Sequence, residues 1–290
     1  MVNIRVPATT ANVGVGFDCL GIALNLYNYF TFEEIDGFSI QGCEKRFQNK
    51  DNLVYTSFLK TLSFLDKKVA GVSIVMNSNI PVSRGLGSSA TCVVGGVLGA
   101  YALTNTKINK EDILKICVEI EGHPDNVAPA IYGGLQACYQ SVNEVVRVDY
   151  LVDDRFSFLA LIPNFETNTK EARKVLPKVL PFENAVQNSA KLSVILKGFE
   201  MYDANILTLA MNDEVHEPYR KGLIHEYEKV KAICKNIESV CFYISGSGST
   251  LMNIMRSDIH VNEIQKQVEQ LTYGWKCKLL KVDKIGACQC

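Results

Sequence analysis

The order of strand and helix patterns along the chain predicts an α+β fold in two lobes. Strand and helix patterns are mixed without the strict alternation of a doubly wound sheet. The chain has 290 residues, which is long for one domain. Hydrophobic residues make up 47% of it and charged residues 21%, which is enough apolar material for large cores. We place the boundary between lobes of residues 1–153 and 154–290.

The first lobe combines strand patterns with two helices. A helix is expected over residues 109–122, because Asn109 can cap its start, acidic residues fill its first turn and Gly122 can end it. A second, buried helix is expected over residues 88–105. Strands are predicted at residues 2–6, 23–35, 71–78, 133–140 and 143–152, the last two as a pair.

The second lobe has the same mixture of patterns. A strand, a glycine loop and a second strand are predicted within residues 240–255. Further strands are predicted at residues 156–164 and 276–282. Helical patterns cover residues 169–176, 183–198, 203–212, 225–236 and 259–271.

Charge and composition exclude several classes of function. The net charge is −1 and no basic run or basic stripe occurs, which argues against binding to nucleic acid or to a membrane surface. The first residues, MVNIRVPATTANVG, lack the pattern of a signal peptide. No apolar run reaches the ~18 residues of a membrane span. We therefore expect a soluble, cytoplasmic protein.

The ten cysteines are expected to be free thiols, mostly buried. None forms a C-x-x-C pair, and most lie within apolar runs. A metal site would need spaced pairs with histidine partners. The terminal Cys288-Gln-Cys290 could chelate a soft metal, but thiols of a frayed tail are the preferred interpretation.

The segment PVSRGLGSSAT, residues 81–91, is the strongest candidate for a binding site. A glycine loop that enters a helix exposes unpaired N–H groups at the positive end of the helix dipole, which suits an anion. Gly85 and Gly87 allow close approach of a phosphate, and two serines add hydroxyl groups. The segment lacks the lysine of the Walker A pattern, and it is not a dinucleotide-binding fingerprint. The alternative is a structural loop before a core helix.

Three further clusters favour a binding site over a structural loop. Residues 7–18 (PATTANVGVGFD) place Asn12 and Asp18 near two glycines. Residues 119–134 gather carboxylates, a histidine and an asparagine after a helix. Residues 245–250 (SGSGST) form a second glycine turn between strands.

Together these motifs resemble those of the GHMP kinases, in order and in spacing. HPDNVAPAIYGG, NTKEARKVLP and EPYRKGLI are similar to signatures of the homoserine kinase branch, and the resemblance covers essentially the whole chain. It implies a ribosomal protein S5 domain 2-like N-terminal lobe and a ferredoxin-like C-terminal lobe. It also implies ATP-dependent phosphorylation of the L-homoserine hydroxyl to O-phospho-L-homoserine in threonine biosynthesis, and a homodimer as the common assembly.

The resemblance assigns the nucleotide to the loop at residues 81–91. The phosphates would lie on Gly85, Gly87, Ser88 and Ser89, with Mg²⁺ near Ser89. A glutamate would hold the metal; Glu119 is preferred, and Glu121 is the alternative. The full set expected to bind ATP is Pro81, Val82, Ser83, Arg84, Gly85, Leu86, Gly87, Ser88, Ser89, Ala90 and Thr91.

Catalysis without a side-chain base is expected. Mevalonate-type relatives carry an aspartate seven residues before a Gly-Gly pair, and in this chain that position is Asn126, not Asp125. An amide cannot take up a proton at neutral pH. Positioning and charge neutralisation are expected to supply most of the effect. The expected catalytic residues are Asn126, Glu119 and Ser89.

For the acceptor, the resemblance nominates six residues: Asn12, Asp18, His123, Thr169, Arg173 and Arg220. Arg173 and Arg220 would bind the substrate carboxylate, and Asp18 its ammonium group. The alternative for each arginine is a solvated surface residue, and for His123 a loop histidine bonded to backbone. No motif claims His216, His225 or His260, so we expect them at the surface.

Two other functions compete with a homoserine kinase. A different small-molecule kinase of the family, such as a mevalonate kinase, should lack the paired arginines and carry aspartate in place of Asn126. A non-catalytic protein with the same fold should have lost the glycines and serines of the ATP loop, which this chain retains.

Overall fold

The computed structural model describes residues 1–142 and 144–290 of the chain. The predicted strand over residues 143–152 begins at Asn143, which lies outside the described residues. The strand itself is found from Val145 to Tyr150.

Residues 2–150 form the first group of strands and helices, with a short 3₁₀ turn at Lys45–Phe47. The strands are β1 (Val2–Ala11), β2 (Leu20–Glu34), β3 (Gly37–Gln41), β4 (Gly71–Ser78), β5 (Leu135–Gln140) and β6 (Val145–Tyr150). The helices are α1 (Leu53–Phe64), α2 (Ser88–Leu103), α3 (Lys110–Glu121) and α4 (Pro124–Tyr132).

Residues 157–289 form the second group, with a 3₁₀ turn at Lys221–Leu223. The strands are β7 (Ser157–Ile162), β8 (Cys241–Ile244), β9 (Leu251–Met255), β10 (Lys276–Leu280) and β11 (Cys288–Gln289). The helices are α5 (Thr169–Lys174), α6 (Phe182–Met201), α7 (Ala204–Ala210), α8 (Glu217–Arg220), α9 (Tyr227–Ile237) and α10 (Val261–Val268).

The larger sheet has seven strands and branches at the long strand β2. Its main path runs β11-β1-β2-β4-β3, and β5 pairs with both β2 and β6. All of these pairs are antiparallel except β3 with β4. The register of β1 against β2 shifts between Pro7 and Ala8, where β2 has two additional residues. This bulge bends β2, so that its first residues pair with β5 and its later ones with β4.

The smaller sheet has four antiparallel strands in the order β10-β7-β9-β8. Side chains of β7 alternate between its two faces, as a strand requires. Leu159 and Leu161 belong to a core that also contains Trp275 and residues of α9 and α10. Phe158 and Ala160 belong to a second core that also contains Leu20 and other residues of the first half. The two halves of the chain therefore share one apolar core.

Helix α2 explains why so apolar a segment follows the glycine loop. Eleven of its sixteen residues are buried. Its glycines allow close packing, since a Cβ on Gly95 would lie 2.6 Å from the ring of Phe30 and one on Gly99 would lie 2.4 Å from Phe32. The predicted buried helix is thus confirmed. The N-terminus of α2, and with it the loop, is fixed by this packing.

The boundaries of α3 were correctly predicted. The side chain of Asn109 accepts a hydrogen bond from the backbone N–H of Glu111, and Gly122 ends the helix with φ of 91°. In contrast, α1 and α4 were not predicted. Helix α4 contains two prolines: Pro124 lies in its first turn, where proline is tolerated, and Pro129 lies inside it. Because an internal proline normally argues against a helix, the sequence pattern did not predict α4.

All ten cysteines are free, as predicted. Four are buried, five are partly buried and Cys290 is exposed. No helix within the described ranges is long and apolar enough to cross a membrane.

Candidate active site

Three loops from distant parts of the chain meet at one point through backbone hydrogen bonds. They are the residues around β1's end (7–18), the loop at residues 81–91 and the glycine turn at residues 245–250. The Thr9 N–H donates to the Leu86 carbonyl at 3.2 Å, and the Gly246 N–H donates to the Ala11 carbonyl at 3.0 Å. A third hydrogen bond joins the loop at residues 81–91 to the glycine turn: the Thr250 N–H donates to the Arg84 carbonyl at 3.0 Å. We call this arrangement the loop junction.

Glycine is required at two positions of the loop junction. Both Gly85 and Gly87 have positive φ, 74° and 70°. A Cβ on Gly85 would lie 2.1 Å from the Ser245 carbonyl oxygen, and one on Gly87 would lie 2.0 Å from Thr9 Oγ1. These glycines therefore serve the contact between loops, in addition to leaving room for a ligand.

The loop junction lies at a cleft of about 1040 Å³. The start of α2 borders this cleft with Gly87, Ser88 and Ser89. No side chain of the described residues caps this helix end. Its first N–H groups are consequently available to an anion, with the helix dipole in support.

The residues at 81–91 differ in how they contact the cleft. Leu86 and Thr91 are buried and do not line it. The hydroxyl of Thr91 donates to the Ser88 carbonyl at 2.8 Å and accepts from Asn28 at 2.9 Å. Arg84 lines the cleft, but its guanidinium donates to the carbonyls of Pro163 and Val82. These three residues hold the loop in place within the protein.

The structure corrects the preference for Glu119. Its side chain is 68% exposed, pairs with Lys60 at 3.3 Å and does not line the cleft. Glu121 lines the cleft and accepts a hydrogen bond from Ser89 Oγ at 2.9 Å. Glu119 and His123 are four residues apart but do not lie on one helical face, because the helix ends at Gly122 and His123 is extended. Burial raises the pKa of Glu121, and the Ser89 hydroxyl partly opposes that rise.

A chain of hydrogen bonds connects His123 to the loop junction. His123 Nδ1 lies 2.6 Å from a carboxylate oxygen of Asp125, which is buried. The same oxygen accepts from the Asn126 amide at 3.4 Å, and Asn126 Oδ1 accepts from the Thr9 hydroxyl at 2.7 Å. The hydrogen bond that His123 donates to the Asp125 carboxylate raises the pKa of His123. The predicted residues His123 and Asn126 are thus brought together in the cleft, and Thr9 is an addition to them.

Asp18 and Arg173, which also line the cleft, form an ion pair with two hydrogen bonds. Arg173 Nη1 and Nη2 lie 2.9 and 3.0 Å from the two carboxylate oxygens of Asp18. Thr169, also on α5, lies beside the glycine turn, with its Oγ1 at 3.3 Å from Ser247 Oγ. All three predicted residues line the cleft.

Asn12 joins the first loop to the glycine turn. It is buried, and its amide donates to the Gly246 carbonyl at 2.7 Å while its Oδ1 accepts from the Asp18 N–H at 2.9 Å. Asn12 and Asp18 both have positive φ, 60° and 51°. Such a backbone is costly for residues other than glycine, and these bonds stabilise it.

Arg220 is not a solvated surface arginine. It is 2% exposed, and its guanidinium donates to the carbonyls of Ala172 and Gly246 at 3.0 and 3.2 Å. Its charge lies 4.8 Å from the centre of the Phe17 ring. Burial lowers the pKa of Arg220 to about 10, which leaves it charged at neutral pH.

The surface prediction for His216 is wrong, whereas His225 and His260 are exposed as expected. His216 is fully buried, and its ring stacks on Phe17 at 5.0 Å between centroids. Neither ring nitrogen has a hydrogen-bond partner among the described residues. Burial lowers the pKa of His216 to about 4, so the ring is neutral at pH 7. Phe17 therefore contacts both a neutral histidine and the Arg220 guanidinium.

No group of three metal-ligating side chains occurs within residues 1–142 and 144–290. Ser89 and Glu121 nevertheless form a pair of oxygen donors at the uncapped end of α2. Mg²⁺ prefers oxygen ligands and is usually held by one or two carboxylates together with substrate phosphates. This donor set fits such an ion.

The chain is similar in sequence to GHMP kinases, and in particular to homoserine kinases. Residues 52–134 match the model of the GHMP kinases N terminal domain. The chain is 41% identical to the homoserine kinase of Clostridium botulinum (strain Okra / Type B1), over 99% of this chain and 97% of that protein. It is 38% identical to the homoserine kinase of Clostridium acetobutylicum, over 99% of both.

Solved structures extend the similarity. The crystal structure of homoserine kinase from Cytophaga hutchinsonii matches with a TM-score of 0.89 and 28% identity, covering 100% of this chain and 97% of that one. A mevalonate kinase from Methanococcus jannaschii matches with a TM-score of 0.74 at 15% identity, covering 97% and 98%. The second match reflects the fold alone.

The geometry predicts that Glu121 has a large effect on turnover and that Glu119 has little. Glu121→Gln should lower turnover at least tenfold and raise the Mg²⁺ concentration needed for half-maximal rate, because it removes a charged ligand beside Ser89. Glu119→Gln, on the same helix, should stay within twofold of the wild type. Steady-state rates over a range of Mg²⁺ concentrations test this. A loss confined to Glu119→Gln would contradict the assignment.

Buried His216 should make stability depend on pH. Its folded pKa, about 4, lies below the unfolded value of 6.5, so between these values the unfolded chain binds the extra proton and stability falls as pH falls. The loss should be about 2 kcal/mol between pH 7 and pH 5.

Urea unfolding at both pH values measures this effect. His216→Phe, which keeps a ring against Phe17, should lose about 2 kcal/mol less stability on acidification than the wild type. His260→Phe, at an exposed site, serves as the control and should behave as the wild type. An unchanged pH dependence in His216→Phe would show that His216 does not titrate as described.

Proposed function

The chain belongs to the homoserine kinases of the GHMP kinase family, and from this premise we propose that its cleft transfers the γ-phosphoryl group of ATP to the hydroxyl of L-homoserine. The product is O-phospho-L-homoserine, on the route to threonine. One observation carries the proposal: the uncapped N-terminus of α2 and the Asp18–Arg173–Arg220 cluster border the same cleft. One end suits phosphates, and the other suits an amino acid.

The nucleotide end is formed by the loop at residues 81–91. The free N–H groups at the start of α2 and the hydroxyls of Ser88 and Ser89 would donate hydrogen bonds to the phosphates. Glu121 and Ser89 would hold Mg²⁺. When bound, the ion neutralises charge on the phosphates and supports departure of the β-phosphate oxygen. It would also relieve the cost that burial imposes on the negative charge of Glu121.

The acceptor end is formed by residues of both halves of the chain. Arg220 and Arg173 would bind the carboxylate of homoserine, since a planar guanidinium matches a carboxylate with two hydrogen bonds. Asp18 would bind the ammonium group. Asn12, His123 and Thr169 line the same end of the cleft and would orient the rest of the molecule.

Phosphoryl transfer forms one P–O bond, from the homoserine hydroxyl, and breaks one, to ADP. The hydroxyl proton must leave during this exchange. Asn126 cannot accept it, and the Asp125 carboxylate is buried and already binds His123 and Asn126. We therefore assign no side-chain base; the proton would pass to the transferred phosphoryl group or to solvent. Positioning of the two substrates and the N–H and hydroxyl donors at the start of α2 would provide the rate enhancement.

The proposal also includes the location of the protein, its assembly and the bounds of its two lobes. The protein would act in the cytoplasm and as a homodimer. Its lobes would be residues 1–153 and 154–290, since the strands of the smaller sheet all follow residue 156 and most strands of the larger sheet precede residue 151. Strand β11 is the exception, because it returns to pair with β1.

The acceptor assignment predicts a selective effect on KM. Arg220→Leu and Arg173→Leu should each raise KM for homoserine at least tenfold while KM for ATP changes less than twofold, because each removes a charged contact to the carboxylate. Arg155→Leu, at an exposed arginine outside the cleft, is the control. An ADP-release assay provides both constants. If KM for homoserine were unchanged in both cleft variants, the arginines would not bind the carboxylate.

A further inference from the structure

The two charges needed for an amino-acid substrate are bound to each other in this structure. Both carboxylate oxygens of Asp18 and both terminal nitrogens of Arg173 are used in their ion pair. The pair is only partly exposed, with 35% of the Asp18 side chain and 41% of the Arg173 side chain accessible. Substrate must therefore replace a strong, two-point interaction.

Asp18 has little freedom to move away from Arg173. Its backbone adopts a left-handed conformation, with φ of 51°, and its N–H is held by Asn12. Arg173 lies on α5, a six-residue helix capped by Asn168, with a long flexible side chain. The pair therefore opens by movement of the Arg173 side chain, while Asp18 keeps its position.

Arg220 has a different environment. Its guanidinium is bonded to two backbone carbonyls, and among the described residues no carboxylate lies within salt-bridge distance of it. It can attract a carboxylate without breaking any ion pair. A carboxylate that reaches Arg220 also approaches Arg173 and Asp18, since both arginines lie near the Phe17 ring, at 4.8 and 6.0 Å.

Breaking the Asp18–Arg173 pair has a different effect on the binding of an acceptor with one charge than on the binding of an acceptor with two. A carboxylate that takes over the two Nη donors of Arg173 leaves Asp18 without its partner and close to a like charge. An ammonium group alone leaves Arg173 unpaired in the same way. A zwitterion supplies a new partner to each residue at once. An acceptor that lacks one of the two charges breaks the two-point contact without replacing it, so the pair penalises every such acceptor.

We propose that the Asp18–Arg173 pair is a specificity latch, closed against acceptors with a single charge and opened by an α-amino acid that replaces both halves of the pair. This inference rests on the proposed function and adds a property that simple contact residues lack. If Asp18 and Arg173 were only contacts, removing either one would weaken every acceptor or leave it unchanged. If they form a latch, removing one should improve the acceptor that needs only the other.

The test uses homoserine and two analogues that each lack one charge. 4-Hydroxybutanoate lacks the amine, and 3-amino-1-propanol lacks the carboxylate. Asp18→Asn should raise kcat/KM for 4-hydroxybutanoate at least fivefold over the wild type, and Arg173→Gln should do the same for 3-amino-1-propanol. Both variants should lower kcat/KM for homoserine at least tenfold. Calorimetric binding of each analogue should show the same crossed pattern.

The chain offers a matched control. Arg155 and Asp153 form another two-point ion pair, with contacts of 2.8 Å each, outside the cleft. Asp153→Asn and Arg155→Gln should change no acceptor more than twofold. Should a cleft variant fail to fold, Asp18→Ser or Arg173→Met gives the same comparison.

The latch is wrong if neither analogue improves in its variant. That failure differs from failure of the proposed function. If wild-type protein did not phosphorylate homoserine, or if Arg220→Leu left KM for homoserine unchanged, the proposed function would fall. If both of those results held and the crossed pattern was absent, only the latch would fall.

Discussion

The loop junction is the contact on which the rest of the site depends. Three chain segments approach so closely that a single Cβ at Gly85 would overlap the Ser245 carbonyl. The junction is made of backbone hydrogen bonds, which are directional and allow only one relative placement of the loops. Because one of these loops begins the buried helix α2, its position is set by the core of the protein. The proposed nucleotide end of the cleft is therefore fixed before any ligand binds.

The two ends of the cleft differ in how they handle charge. At the phosphate end the protein presents unpaired N–H dipoles and hydroxyls, with one carboxylate, Glu121, beside them. At the acceptor end it presents full charges, and two of the three, Asp18 and Arg173, neutralise each other. Arg220 is held by backbone carbonyls against the Phe17 ring, on which neutral His216 also stacks. In the proposed function, this arrangement would bind a phosphate ester and a zwitterion at neighbouring positions, as transfer between them requires.

The sequence predicted the fold class, most strands and helices and many of the residues that line the cleft, because glycine loops and capped helices leave local signals. The predicted residues Leu86, Thr91 and Glu119 do not line it. The sequence was less informative about side-chain direction. Glu119 and Glu121 are two residues apart, and only the helical repeat separates them: Glu111, Lys115 and Glu119 are exposed on one face, whereas Glu121 continues the face of Leu114 and Cys117. That signal was present in the sequence. The burial of His216, the hydrogen bond from Thr9 to Asn126 and the Asp18–Arg173 pair arise from contacts between distant segments, which no local pattern encodes.

Contact between the loops at Gly85 sets the geometry of the proposed nucleotide site. The most direct measurement is the calorimetric affinity of MgATP for Gly85→Ala beside Gly37→Ala. Both glycines have positive φ, 74° and 89°, but a Cβ on Gly37 would meet nothing within 4 Å. Both variants thus carry a similar backbone cost, and only Gly85→Ala separates the loops. The account predicts that folded Gly85→Ala binds MgATP at least tenfold more weakly while Gly37→Ala stays within twofold of the wild type. Wild-type affinity in folded Gly85→Ala would contradict it.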